Sequence, residues 1–305
     1  MNPSRLKAYT FILLATIIWA LASPVIKYVL GTLPPFTFLA YRFGLASIFA
    51  IVYSLATHYR LPKSASTLFS LIIYAFITST VSLGFLFVGL KDSTVLDISI
   101  LDLILPLMIS IAGVYFLKEH ITTKEKIGMA IALLGSALIV IGPIVKGGSQ
   151  SQTMFTGNIL LVVYLLVNTL SVVLLKKLLR IKVDSMDIVN ITFVVGFLTT
   201  LPLAIYYHGF QSVINQIASL PASMHLGVVY MAFISGSLAY YLFNKATKTI
   251  EIGEAAVFNY LYPFISIPVA IVWLHESITP FFVIGGIVTL VGVVIAEVKK
   301  KRVAS

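Results

Sequence analysis

Residues 105–135 read LPLMISIAGVYFLKEHITTKEKIGMAIALLG, and residues 262–292 read YPFISIPVAIVWLHESITPFFVIGGIVTLVG. The two stretches align without a gap at an offset of 157 residues. Shared hydrophobicity alone does not account for proline, glutamate and glycine at matching places, so the alignment predicts two homologous halves. The identical pairs include Pro106 and Pro263, Glu119 and Glu276, Gly128 and Gly285, and Gly135 and Gly292.

The composition is that of an integral membrane protein. The 305 residues are 59% hydrophobic and only 10% charged, and the mean hydropathy is +1.03. So few charges cannot cover the apolar side chains of a soluble domain of this size. Cutting the chain at polar and turn residues leaves ten apolar segments of roughly 17–25 residues, the length of a membrane-spanning helix. They lie at 8–30, 35–57, 67–90, 93–117, 125–144, 155–178, 187–208, 223–246, 252–274 and 279–298.

Five of these segments fall in each half, residues 1–148 and residues 149–305. An odd number of helices turns the second half upside down in the bilayer, and inverted repeats with a substrate site between them are typical of secondary transporters. The predicted fold is an all-α membrane protein, with ten transmembrane helices in two inverted five-helix repeats around a central cavity.

The basic residues predict the orientation. If both termini lie in the cytoplasm, most of the 21 Lys and Arg residues fall on the cytoplasmic side, as the positive-inside rule requires. The net charge of +10 is then a topology signal in a multi-pass protein of a prokaryotic cytoplasmic (inner) membrane. The lipid bilayer is the expected partner of these charges, and nucleic acid is not.

Signatures of catalysis are missing from the sequence. The chain has no cysteine, its five histidines show no HExxH spacing, and no P-loop is present. The acidic residues are scattered over both ends of the segments, whereas a membrane-embedded transferase needs carboxylates clustered around a metal at one face. We therefore expect no catalytic residue, no metal and no cofactor.

Two carboxylates interrupt the fourth segment, in DISILDLILP at residues 97–106. Asp97 and Asp102 point about 140° apart on a helix, so they are expected to have different roles. Asp97 lies about one turn deep, at the depth of Arg42, and we predict that these two form a structural or gating ion pair, with direct substrate binding as the alternative. Asp102 lies about 13 Å down, near the midplane. It is either a cavity carboxylate that binds a cation or shuttles a proton, or a protonated hydrogen-bonding group.

Prolines follow this polar position in both halves. Pro106 and Pro263 each remove one helical hydrogen bond and free a carbonyl one turn earlier, near Asp102 and Asn259. Kinks at matching places in both halves, next to the polar residues Asp102 and Asn259, indicate a binding site. The alternative is that each kink only serves helix packing.

Two other repeated features have structural interpretations. Inverted topology separates Glu119 from Glu276, and both stand at helix ends, so turn capping is expected. Glycines recur every seven residues in the fifth and tenth segments, which predicts close helix packing. A dimer seam is the alternative. These glycines are Gly128, Gly135, Gly142, Gly285 and Gly292.

Three patterns resemble the EamA-like branch of the drug/metabolite transporter superfamily. They are IIWALASPVIK at residues 17–27, LPPFTFLAYRFGLA at residues 33–46, and the doubled P…LxExIT…G…G pattern. The resemblance covers nearly the whole chain and includes Arg42, while WALASP departs from the usual Trp-Gly start. It implies ten helices in two inverted repeats around a central cavity, and the movement, often export, of small metabolites.

The resemblance also implies which residues line the cavity. Ser99 and Asp102 share a face of the fourth segment and would belong to the same site. For the family-like positions, packing within the bundle is the alternative to solute contact. Those positions are Trp19, Asn168, Tyr240, Asn259 and Tyr260.

The sequence thus predicts a secondary transporter that moves small organic metabolites, amino-acid-like or related solutes, out of the cell by alternating access. Transport would be coupled to protons if Asp102 acts as a proton carrier in the cavity. A lipid or nucleotide-sugar carrier of the same superfamily is the alternative, followed by a passive channel and a membrane-embedded transferase. The sequence does not predict the oligomeric state.

Overall fold

The structure is a computed structural model that describes residues 3–56, 64–117, 122–181, 183–250, 255 and 257–297. Every regular element in these residues is helical. The α-helices are α1 (Pro3–Leu30), α2 (Pro35–Ala56), α3 (Ala65–Phe76), α4 (Leu83–Asp92), α5 (Val95–Leu101), α6 (Leu105–Leu117), α7 (Thr123–Lys146), α8 (Ser149–Arg180), α9 (Ser185–His208), α10 (Phe210–Ala218), α11 (Ala222–Val229), α12 (Ala239–Thr247), α13 (Tyr262–Leu274) and α14 (Pro280–Glu297).

Several of these helices are long enough to span a membrane alone, and others reach that length where consecutive helical elements run together. Within the described ranges, nine helical stretches are long and apolar enough to cross a membrane. They correspond to the first nine predicted segments, and the tenth is the shorter apolar helix Pro280–Ala296. The chain is therefore a multi-pass membrane protein.

Four of the spans change helix type near their middle or at their start. The π-helical turns Ile77–Ser82 and Tyr230–Leu238 join α3 to α4 and α11 to α12. The 3₁₀ turns Asp102–Ile104 and Val257–Leu261 come directly before α6 and α13. Each type occurs once in each half, and π turns inside α-helices are frequent at functional sites.

The 3₁₀ turns stand where the prolines predict kinks. Pro106 and Pro263 are the second residues of α6 and α13. Proline has no N–H to donate to the carbonyl four residues earlier, which belongs to Asp102 in one half and to Asn259 in the other. The Asp102 carbonyl accepts a shorter-range bond from the Leu105 N–H instead, so the tighter turn satisfies it.

Glycines allow α7 and α14 to pack backbone against backbone. A Cβ on Gly292 would stand 2.2 Å from the nitrogen of Ala132, and one on Gly135 would stand 2.4 Å from that of Thr289. Only glycine permits so close an approach between helices. The seven-residue spacing thus serves packing inside one chain, as predicted.

Candidate functional site

A cavity of about 120 Å³ lies between the helices. It is lined from α1, α2, α8, α13, both π-containing spans and the stretch from Asp102 through α6. A buried cavity of about 150 Å³ is known to hold benzene, so this one, as it stands, is somewhat smaller than the space that one aromatic ring needs.

Two side chains of opposite charge line the cavity. Arg42 on α2 is 2% exposed and Asp102 is 6% exposed. In the part of the chain that the structure describes, neither Nε of Arg42 nor Oδ1 of Asp102 has a hydrogen-bond partner. The guanidinium carbon of Arg42 lies 5.4 Å from the ring centroid of Phe43. Buried charges generally need partners, and ionisable groups inside a membrane mark substrate or ion sites by default.

The predicted ion pair between Arg42 and Asp97 is not present among the described residues. Oδ2 of Asp97 accepts a hydrogen bond from Nδ2 of Asn158 on α8 at 3.0 Å, and the Asp97 N–H donates to Oγ1 of Thr94. The prediction matched the two charges by depth alone, and depth does not fix direction. Asp97 faces α8, while Arg42 faces the cavity.

Four other residues of the predicted site line the cavity: Trp19, Asn168, Tyr240 and Asn259. The indole N–H of Trp19 donates to the carbonyl of Ser235 at 2.9 Å, which fixes the ring. The ring of Tyr240 packs edge-on against it, with the centroids 5.0 Å apart.

Two predicted residues lie elsewhere. Oγ of Ser99 is hydrogen-bonded to Oγ of Ser266 on α13 at 2.6 Å. Three helical residues separate Ser99 from Asp102, so their directions differ by about 60°, which is enough to turn Ser99 from the cavity to α13. Tyr260 packs against the apolar core.

Several lining residues were not predicted, although a periodic pattern in the sequence could have identified them. Tyr164 and Ser171 share a face of α8 with Asn168, at spacings of four and three residues. Tyr74 and Thr78, four residues apart, line the cavity from the span of α3 and α4.

Most of the lining residues match between the two halves, while Arg42, Ile109 and Tyr164 have no lining counterpart at the offsets given below. On α1 and α8 they correspond at an offset of 149 residues: Trp19, Ala22, Ser23 and Ile26 with Asn168, Ser171, Val172 and Leu175. In the π-containing spans they correspond at 157 residues: Tyr74, Thr78, Leu83 and Leu86 with Met231, Ser235, Tyr240 and Phe243. The same offset relates Asp102 to Asn259 and Leu105 to Tyr262.

A hydrogen-bonded corner joins α4 to α5, and we call residues 90–96 the first corner. Nζ of Lys27 donates to the carbonyls of Leu90 and Lys91, at 2.9 Å each, and to that of Ser93. An ammonium group stabilises the carbonyl end of a helix in this way.

Glu276 binds the other side of this corner. Its Oε1 and Oε2 accept hydrogen bonds from the N–H groups of Val95 and Leu96, at 2.9 and 3.0 Å. Burial raises the pKa of the Glu276 carboxyl, and the two N–H donors act against that rise. Glu276 thus caps the start of α5, whereas the sequence predicted that it caps the turn at its own helix end. Glu119 lies outside the described residues.

Known proteins resemble the chain over its whole length. A model of the EamA-like transporter family matches residues 6–141 and 155–297. An uncharacterized transporter from Archaeoglobus fulgidus is 27% identical over 97% of this chain and 99% of its own. A probable terminal-alkyne amino-acid exporter from Streptantibioticus cattleyicolor is 23% identical over 65% of this chain and 62% of its own. A crystal structure of an 18% identical protein matches all of both chains with a TM-score of 0.60, which shows the fold alone.

Proposed function

The chain belongs to the EamA-like transporter family, and we propose that it carries a small zwitterion, such as an amino acid with an apolar side chain, out of the cell by alternating access. One observation carries this proposal: Arg42 and Asp102 line the same cavity, each with a polar atom that has no hydrogen-bond partner among the described residues. A solute carboxylate would pair with the guanidinium and a solute ammonium with the carboxylate, in charge-assisted hydrogen bonds. The apolar and aromatic walls suit an apolar side chain.

The matched lining supports the predicted architecture of two inverted repeats, residues 1–148 and 149–305. A pseudo-two-fold relation that places equivalent residues around one cavity is the arrangement of inverted-repeat transporters. The π turn and the 3₁₀ turn that occur once in each half support it as well. In such transporters one repeat rocks against the other around a fixed site.

The exporter from Streptantibioticus cattleyicolor supports both the amino-acid class and the outward direction. Asp102 would also accept a proton when the solute ammonium leaves, which couples the solute to a proton in the opposite step.

Solute counterflow in liposomes tests the proposal. Vesicles loaded with an unlabelled apolar L-amino acid, from alanine to phenylalanine, should take up the labelled form with saturation. An excess of L-methionine should compete, while L-methioninamide and N-acetyl-L-methionine, which each lack one charge of the zwitterion, should compete at least ~10-fold more weakly. Arg42→Gln should weaken competition by methionine more than competition by methioninamide. Absence of counterflow with every amino acid in the series would contradict the proposal, and a flux that does not saturate would indicate a channel.

Reporter fusions test the proposed orientation. Both termini and the loops at residues 58–66, 118–126 and 245–251 should report a cytoplasmic location, because these loops carry basic residues. A fusion after α1, at residues 31–34, should report the opposite side and serves as the control. Termini on opposite sides of the membrane would rule out ten spans.

A further inference from the structure

The contacts of Lys27 have a counterpart in the second half of the chain. Nζ of Lys176 on α8 donates to the carbonyls of Thr247 and Ile250, at 3.2 and 3.4 Å. We call residues 247–250, which begin at the last residue of α12, the second corner.

The lysines and their carbonyl acceptors are related between the two halves by the same sequence offsets as the cavity-lining residues. Lys27 and Lys176 are 149 residues apart, as are the cavity-lining residues of α1 and α8. Thr247 follows Leu90 by 157 residues and Ile250 follows Ser93 by 157 residues, the offset of the π-containing spans. The two lysine contacts are therefore one contact that occurs twice.

The two corners lie at opposite ends of the bundle. Asn158, near the start of α8, is hydrogen-bonded to Ser93 of the first corner, and Lys176, near the end of α8, binds the second corner. Eighteen residues of helix separate Asn158 from Lys176, which corresponds to about 27 Å, close to the ~30 Å thickness of the hydrocarbon core. One lysine thus acts at each face of the membrane.

The hydrogen bonds from each lysine to its corner are of a kind that can break and re-form. Each lysine binds main-chain carbonyls at a helix end, where the helix dipole favours a cation. An ammonium group has three donors that rotate freely, and water replaces the carbonyls when the corner moves away. Water that enters the opened end can therefore solvate the released ammonium group.

We propose that Lys27 and Lys176 are equivalent positioning residues, each of which holds one end of the bundle closed and releases it in turn during the transport cycle. The inference rests on the proposed function, because it requires a cavity that opens alternately to the two sides. Both corners are bound in the structure, so neither end has been released.

A single thiol in the cavity tests the pair. The chain has no cysteine, and Ser235→Cys changes one atom of a residue that lines the cavity. Its reaction rate with a charged, membrane-impermeant methanethiosulfonate would be measured with the reagent outside right-side-out vesicles and, separately, outside inside-out vesicles.

Lys27→Met is expected to raise the labelling rate from the side of the first corner at least ~3-fold and to lower it from the other side, since loss of one lysine contact shifts the population towards the form open at that end. Lys176→Met should change the two rates in the opposite directions. The matched controls Lys91→Met and Lys177→Met remove exposed neighbouring lysines and should leave both rates near those of the parent.

Rates that rise equally from both sides would show that the lysines only stabilise the fold, and this would overturn the proposal, as would unchanged rates in both variants. Should Lys27→Met give no folded protein, Glu276→Gln tests the same corner with a milder change, because the amide keeps one acceptor for the N–H groups. Counterflow is measured in the same vesicles. Its absence would overturn the proposed function, while opposite shifts in labelling would still support the lysine pair.

Discussion

Replacing Asp102 by asparagine is expected to lower the counterflow rate at least ~10-fold while the variant folds and reaches the membrane like the parent. Asparagine keeps the size and the hydrogen-bonding capacity of the side chain and removes only its charge. Oδ1 of Asp102 has no protein partner among the described residues, so the substitution breaks no bond at that atom. The lost interaction is the one with a solute ammonium or with a coupled proton.

The pH profile separates this role from a structural one. With Asp102→Asn, the counterflow rate should lose most of its dependence on pH between about 5 and 8, because a titratable group has left the cavity. Asp184→Asn, which removes an exposed carboxylate that pairs with Lys248, is the control for net charge and should transport like the parent. If Asp102→Asn transports like the parent across this range, Asp102 is a structural hydrogen-bonding group.

Gly292→Ala is expected to have the largest effect on folding. The added Cβ would stand 2.2 Å from the nitrogen of Ala132 and 2.6 Å from the carbonyl oxygen of Gly128. Both atoms belong to the backbone of α7, so no side chain can move aside and the two helices must separate. Overpacking of this kind costs about 1–3 kcal/mol or more, and separation also exposes the rest of the seam.

Gly286→Ala is a matched control on the same helix. Its Cβ would meet the side chain of Ile100 at 3.6 Å, an ordinary contact, and alanine favours the helix by about 1 kcal/mol over glycine. Thermal unfolding in detergent should show a midpoint for Gly292→Ala roughly 5 °C or more below that of the parent. Gly286→Ala should be unchanged or higher. Equal midpoints for the two variants would mean that α7 and α14 do not pack at Gly292.

Features that depend on local sequence were predictable. Hydrophobic length identified the spans, and the two prolines identified where the helices tighten into 3₁₀ turns, because a missing N–H acts on the carbonyl four residues earlier. Spacing alone assigned the glycines to a helix seam. In each case the residue type restricts the backbone directly.

Features that depend on the rotation of one helix against another were not predictable from depth. Arg42 and Asp97 were matched because they lie at one level, yet they face different neighbours. The hydrogen bonds of Lys27 and Lys176 to the two corners could not be predicted from the sequence either, because their acceptors are main-chain carbonyls, which every residue carries. Only the contacts of Lys27 and Lys176, read together with the offsets between the halves, reveal them.

The cavity lining corresponds between the two halves at most positions but differs in charge. Its two charged lining residues within the described ranges, Arg42 and Asp102, both belong to the first half, and Asn259 occupies the place of Asp102 in the second. If the solute is a zwitterion, as proposed, both of its charged groups would bind to the first half of the chain, and a single bound orientation would be favoured. The second half would then be free to vary around the solute side chain without changing these charged contacts.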